Sequence, residues 1–245
     1  MILQLAKEAK IPYRAIYKNT TIDPPGTIKH VRDMGVEVLM PKKNFFQLIE
    51  DNGFPTMFHR FCCNYLKEYK VLDKAVVGVR RSESTRRANR YQEPTACRWY
   101  GSKSKPENHV EQIYPLLDWT DADVEEYLKE RGVRCASLYY DKDGTFHVER
   151  RLGCMCCPMM YYKKRIEAFK QYPMMVKGYL KAGRKFRDKH PDTKTAKKYS
   201  NVYEHFMRNV FFDSPKAWQE FKEENLFGEF DYKAFLEDYF HIKLD

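Results

Sequence analysis

The 245-residue chain has no apolar run approaching the ~18 residues of a membrane-crossing helix, which argues against a helical bilayer span. Its opening, Met1-Ile2-Leu3-Gln4-Leu5-Ala6-Lys7, is too short and too polar for a signal peptide. The expected location is therefore the cytoplasm. Internal repeats and low-complexity tracts are missing, so solenoids and compositional tails are not expected. In a reducing compartment the seven cysteines are not expected to form disulfides. That leaves them as buried hydrophobes, nucleophiles or metal ligands.

What is present is ordinary globular composition, 43% hydrophobic and 32% charged, in a chain long enough for one α/β domain with an appendage. The net charge of +10 is unevenly spread. Met159 to Ser200 holds thirteen Lys/Arg against three acids, while Asp213 to Asp245 holds four Lys against nine acids. The basic excess is thus a band in the third quarter of the chain.

The first two thirds alternate strand and helix signals. Ile11 to Tyr17, Val36 to Met40 and Ala75 to Val79 read as strands. Thr27 to Asp33, Asn44 to Asp51 and Cys62 to Tyr69 read as helices between them, the pattern of parallel βαβ units. Asn89 to Val110 is polar and aperiodic, and is expected to be a loop or lid. Thr120 with Asp123 forms a capping-box signal for a helix carrying Val124, Tyr127 and Leu128. Beyond it the pattern is helical, with Pro173 and Pro215 at first-turn positions and Ser214 as an N-cap. The expected division is an α/β domain over 1–158 and a helical, partly basic region over 159–245.

Two features carry chemistry. Cys62-Cys63 lies about ninety residues before Cys154-Met155-Cys156-Cys157. A Cys-x-x-Cys pair lets two thiolates converge on one centre, and a second pair completes four ligands. Spacing alone does not separate zinc from iron–sulfur. Cys97 and Cys135 stand apart and read as ordinary core or surface residues. The second feature, Gly78-Val79-Arg80-Arg81-Ser82-Glu83-Ser84-Thr85-Arg86-Arg87-Ala88, packs four arginines just beyond a strand. Ligands of parallel sheets bind beyond strand carboxyl ends, and guanidinium forks suit phosphate or sulfate. A solvated charged turn reads equally well from composition.

Gly78 to Ala88, Pro115-Leu116-Leu117-Asp118-Trp119 and Leu138-Tyr139-Tyr140-Asp141 together resemble the phosphoadenosine phosphosulfate reductase family, in family order. Asn19-Thr20 with Pro25 and Thr27 is similar to the segment that follows that family's second strand. The resemblance implies an adenine nucleotide α-hydrolase-like (Rossmann-like) α/β fold that binds adenylyl sulfate or ATP at the sheet's carboxyl edge. It implies Arg80, Arg81, Ser84 and Arg87 on phosphate or sulfate, Glu83 orienting the arginines, and Asn19, Thr20 and Asp23 on the nucleotide side. It also implies a [4Fe–4S] cluster on Cys62, Cys63, Cys154 and Cys157, with zinc as the alternative. A thiol reductant such as thioredoxin is the implied electron donor.

Three departures from the family pattern stand out. Its Ser-Gly-Gly-Lys-Asp-Ser type phosphate loop has no counterpart, so the expectation is an N-terminally truncated chain, poorly stable or weak in nucleotide binding. No cysteine follows Cys157 to act as sulfonate acceptor, and Cys156, the spare thiol nearest the four, reads at least as well as a buried non-ligand. The basic band, interleaved with Tyr161, Tyr162, Tyr172, Tyr179 and Phe186, suits nucleic acid or a solvated helix face. Three functions follow: a sulfonucleotide reductase, a sulfur-transfer enzyme acting on DNA or tRNA, and an inactive binding module.

Overall fold

The computed structural model describes residues 1–100, 108–150, 152–212, 214–224 and 230–245. In chain order the elements are α1 Ile2–Glu8, β1 Ile16–Lys18, α2 Thr27–Asp33, β2 Glu37–Leu39, α3 Phe45–Asn52 and α4 Phe61–Leu66. There follow β3 Lys74–Val76, α5 Thr85–Arg90, β4 Thr95–Trp99, β5 His109–Ile113 and α6 Asp121–Glu130. The rest is helical: α7 Tyr162–Gln171, α8 Pro173–Lys189, α9 Lys194–Lys198, α10 Val202–Phe206, α11 Pro215–Glu224 and α12 Tyr232–Phe240. A turn of π-helix, Met207–Phe211, continues α10. Among the described residues, no helix is long and apolar enough to cross a membrane.

The chain divides into two compact units. The first comprises Met1–Asn19, Asp23–Met40 and Asn64–Gly153; the second comprises Thr20–Ile22, Pro41–Cys63 and Cys154–Asp245.

The first unit is the α/β part. Its strands form two sheets, a parallel pair β1-β2 and a three-stranded sheet in the order β3-β5-β4. Strand β3 pairs parallel to β5, as βαβ reasoning expects, whereas β4 pairs antiparallel to β5. The region expected as a loop over Asn89 to Val110 therefore contains β4 and the first residues of β5; residues 101–107 of it lie outside the described residues. The period-2 signal in Thr95-Ala96-Cys97-Arg98-Trp99 is weak because Cys97 and Trp99 fall on the exposed face while Arg98 is half-buried. Val79, Tyr114 and Leu117 form a buried cluster, with Val77, Tyr91 and Ala96 packed against it.

The second unit is built on aromatic packing. Tyr179 of α8 is buried against Phe45, Phe54, Phe169 and Phe206, at ring-centroid distances of 5.3, 6.1, 5.4 and 6.0 Å. Helix α8 approaches Phe46 and Phe54 through Gly178 and Gly183. A Cβ at either glycine would fall inside van der Waals contact of those rings. Local signals fix the helix starts: Asn44 caps α3 in a full capping box with Gln47, and Pro173 stands in the first turn of α8.

Candidate functional site

The arginine loop belongs to the first unit. After β3 the chain runs extended through Arg80, makes one 3₁₀ turn over Arg81–Glu83, and enters α5 under Ser84 as N-cap. The Ser84 hydroxyl accepts from the Arg87 amide at 3.3 Å, so it completes the helix end. Arg81 latches the loop: its Nε donates to the Tyr91 carbonyl at 2.9 Å, and its other nitrogens reach Asp118 and the Gln92 carbonyl. Ser82 donates to the Trp119 carbonyl at 2.9 Å, tying the loop to the segment before α6. Thus Asp118 and Trp119 anchor the loop while Thr120 and Asp123 form the capping box of α6.

Arg80 differs from its neighbours. Its side chain is only 10% exposed; Nη2 pairs with Asp121 at 2.6 Å and Nε lies 3.7 Å from Glu83. Glu83 is itself well covered and also pairs with Arg87. The remaining nitrogen, Arg80 Nη1, is buried with no hydrogen-bond partner among the described residues. An unmade bond at a buried cation costs a few kcal/mol, so this atom is suited to an anionic acceptor. Asp121 carried no sequence signal of its own, since its pairing with Arg80 crosses forty residues of chain.

The nucleotide-side residues divide at the unit boundary. Asn19 is buried at the end of β1, its amide donating to the Leu39 carbonyl at 3.0 Å and its side chain reaching the Met40 sulfur. Asp23 is half-buried in the first unit, where the Thr27 hydroxyl, 4% exposed, is a second buried polar atom without a partner among the described residues. Thr20, fully buried, belongs to the second unit. Thr21 beside it holds a left-handed φ of 62°, uncommon for a β-branched residue, and its Oγ1 accepts from the Phe45 amide at 2.8 Å.

All four cysteines of the expected metal set lie in the second unit. Cys62 is buried, and Cys63, Cys154 and Cys157 are half-buried. The Cys62 thiol is pushed well above the ordinary range, first by its hydrogen bond with Cys63, then by burial and by the charges of Cys63, Cys157 and Cys154. Sulfurs from two segments distant in sequence thus act on Cys62 from close by, the kind of donor set that a bound cation holds as thiolates. The donor set fits a thiolate-bound metal centre. Among the described residues no three His, Cys, Asp or Glu side chains close into a single-ion site. A tetrahedral zinc with Zn–S near 2.3 Å would need its sulfurs within about 4 Å of each other.

Cys156 has another role. It takes a left-handed φ of 54°, bending the chain between Cys154 and Cys157, and its carbonyl accepts from the Tyr179 hydroxyl at 3.3 Å. Burial pushes its thiol up to about 12, in keeping with a buried cysteine that shapes the bend. Arg165, 7% exposed, donates to the Pro158 carbonyl at 3.3 Å and holds the start of α7 to this bend.

Residues 1–160 match the phosphoadenosine phosphosulfate reductase domain. The chain belongs to this reductase family. Its mixed α/β architecture with a helical C-terminal part is that of the adenine nucleotide α-hydrolase-like fold. The reductase-family chain is 27% identical over 197 residues to an uncharacterized protein of Methanocaldococcus jannaschii, covering 74% of this chain and 44% of that one. It is 31% identical over 154 residues to an uncharacterized 37.8 kDa protein of Escherichia phage 186, covering 56% and 42%. The reductase-family chain therefore spans less than half the length of either relative.

Proposed function

We propose that this reductase-family domain binds adenylyl sulfate or ATP and serves sulfur chemistry with a [4Fe–4S] cluster on Cys62, Cys63, Cys154 and Cys157. The observation that carries the reading is the crowding of those four thiols around Cys62, from segments far apart in sequence. When bound, such a cluster supplies redox or electrostatic chemistry tuned by burial and by hydrogen bonds to its sulfurs. A cluster is favoured over a single zinc because the four-cysteine set is similar to that of the family's [4Fe–4S] members.

The chain's own residues have separate tasks. Arg80 offers the sulfate or phosphate oxygens a charge-assisted hydrogen bond from Nη1, held in place by Glu83 and Asp121. Arg87 shares Glu83 and is the second cation for the anion. Arg81 and Ser84 hold the loop in shape. Asn19 and Asp23 are the nucleotide-side residues of the first unit, and the Thr27 hydroxyl adds a further donor there. An external thiol such as thioredoxin is the reductant, since Cys156 is buried.

Anaerobic purification with iron and acid-labile sulfide analysis tests the cluster. The expected result is about four of each per chain, lost in Cys62→Ser and Cys157→Ser. Zinc alone overturns it. Calorimetric titration with adenylyl sulfate and ATP tests the nucleotide site, and Arg80→Met is expected to weaken the tighter ligand at least tenfold. Equal affinity in that variant removes Arg80 from the site.

A further inference from the structure

The two segments that carry the cysteines also carry exposed rings. Phe58 is 96% exposed and Tyr161 67%, with Met57 at 54% and Met159 at 39% beside them. Phe58 precedes Cys62 by four residues and Tyr161 follows Cys157 by four. Pro55 and Pro158 line one shallow pocket together with Cys156, Arg165 and Tyr179, so the two segments run side by side in the second unit. Each ring stands three residues beyond its proline, so its Cα lies within about 11 Å of a proline that lines the pocket.

The two ring-bearing segments carry charge of one sign. No Asp or Glu occurs from 52 to 67 or from 150 to 166, whereas Arg60, Lys163, Lys164 and Arg165 do. Lys163 and Lys164 are exposed on the first turn of α7, with no carboxylate partner among the described residues. Further along, Lys177, Lys181 and Lys194 likewise form no ion pair among the described residues, while Lys185, Lys189 and Lys197 are taken up by Glu50, Asp51 and Asp192. Packing also sorts the aromatics of the basic band. Tyr179 and Phe186 are core residues, and Tyr162 and Tyr172 are half-buried. Tyr161 therefore offers a free ring face.

We propose that the cysteine-bearing segments of the second unit form a docking surface for single-stranded nucleic acid. Unstacked bases lie on Phe58 and Tyr161, and the phosphates meet Lys163 and Lys164. Exposed rings beside unpaired lysines are what a single strand requires, because every base has a stackable face and every linkage a negative charge. A duplex would hide its base faces. A compact acidic protein would use the cations but would not need an open lysine run extending through α8. The surface deepens the proposed function by placing a polymeric substrate beside the cysteine centre, yet binding itself does not rest on which metal the cysteines hold.

The test is fluorescence anisotropy of labelled oligothymidylate and oligouridylate, roughly 20 nucleotides long, on the full chain at low and raised salt. Iron and zinc are measured in the same samples, so that loss of the metal reading and loss of binding are told apart. Binding that weakens with salt is expected, with a preference over duplex DNA and over inorganic polyphosphate. Phe58→Ala and Tyr161→Ala, both at exposed positions and checked by unchanged circular dichroism, are each expected to weaken it roughly tenfold. Lys163→Ala with Lys164→Ala is expected to lower the slope of log K against log salt by about 1.4. Absence of binding at low salt, equal affinity for polyphosphate, or undiminished binding by both ring variants overturns the proposal. So does a preference for an acidic electron-carrier protein competing at the same rings.

Discussion

The two units secure their chemistry-bearing residues by different physical means. In the first, the arginine loop is held by charge: Arg80 with Asp121 and Glu83, Arg87 with Glu83, and Arg81 with Asp118, above strands of three to five residues. In the second, the cysteine segments rest on interlocking rings centred on Tyr179, whose hydroxyl reaches the Cys156 bend. The contrast teaches that a polar site made by ion pairs responds to the loss of a partner, while a site carried on a packed core responds to the loss of volume.

Four substitutions or conditions can break or sharpen that contrast. The largest effect is expected from Phe169→Ala in the second unit. Phe169 is fully buried, with Tyr179, Phe206 and Phe240 at 5.4, 5.7 and 6.1 Å, and truncation should cost about 3–5 kcal/mol in urea unfolding. Truncating Val76 of β3, 47% exposed, should cost under about 0.5 kcal/mol; similar losses at both positions would break the comparison.

Next comes Arg80→Met, which keeps volume but strands Glu83 and Asp121. A loss of about 2–3 kcal/mol is expected, the range for hydrogen bonds to charged groups. A neutral outcome would mean that the first unit depends on packing after all.

Third is the acid limb of stability. His205 is 2% exposed, stacked on Tyr199 at 4.9 Å, and its pKa is lowered to about 3 by burial and then by Arg187. The unfolded chain takes up this proton near 6.5 and the folded one not until about 3. Stability attributable to His205 is therefore complete above the unfolded value and declines as pH falls through the window, by at most about 1.4 kcal/mol per unit. Between pH 7 and pH 5 the expected loss is about 2 kcal/mol, and His205→Phe should flatten it. An unchanged slope in that variant would show that other groups govern acid unfolding.

The smallest effect belongs to Arg14→Ala. The Arg14–Glu37 pair is about half exposed on both sides, so its removal should leave the urea midpoint almost unmoved, and less changed still in high salt. A larger loss would place structural weight on a surface pair.

Much of the local structure was legible before any coordinates. The Thr120 cap, the Ser214 cap with Pro215, and helix α2 over Thr27–Asp33 lie where their residue types put them. The strands are shorter than their apolar runs: Ile11 to Tyr17 reduces to Ile16–Lys18, and Ala75 to Val79 becomes Lys74–Val76. An apolar residue is a signal for burial as much as for a ladder, and Val79 is buried beyond the end of β3. Strand β4 was hidden because its pairing partner, β5, lies downstream and its residue types run against the pleat, with Cys97 and Trp99 exposed and Arg98 half-buried. In the arginine loop, composition marked the cations, yet it did not distinguish the latch at Arg81 from the open nitrogen at Arg80. Both depend on carboxylates and carbonyls far along the chain.

The basic band shows the same division. The residues alone established the excess of Lys and Arg, the paired cysteines, and the motifs that resemble a reductase family, because type and spacing act within a few positions. Tertiary packing decided the rest: Tyr179 and Phe186 went to the core, Tyr161 stayed outside, and Cys62 met three other thiols. Those outcomes turn on burial and on charges brought close from distant segments, and both are properties of the folded chain rather than of any stretch of it.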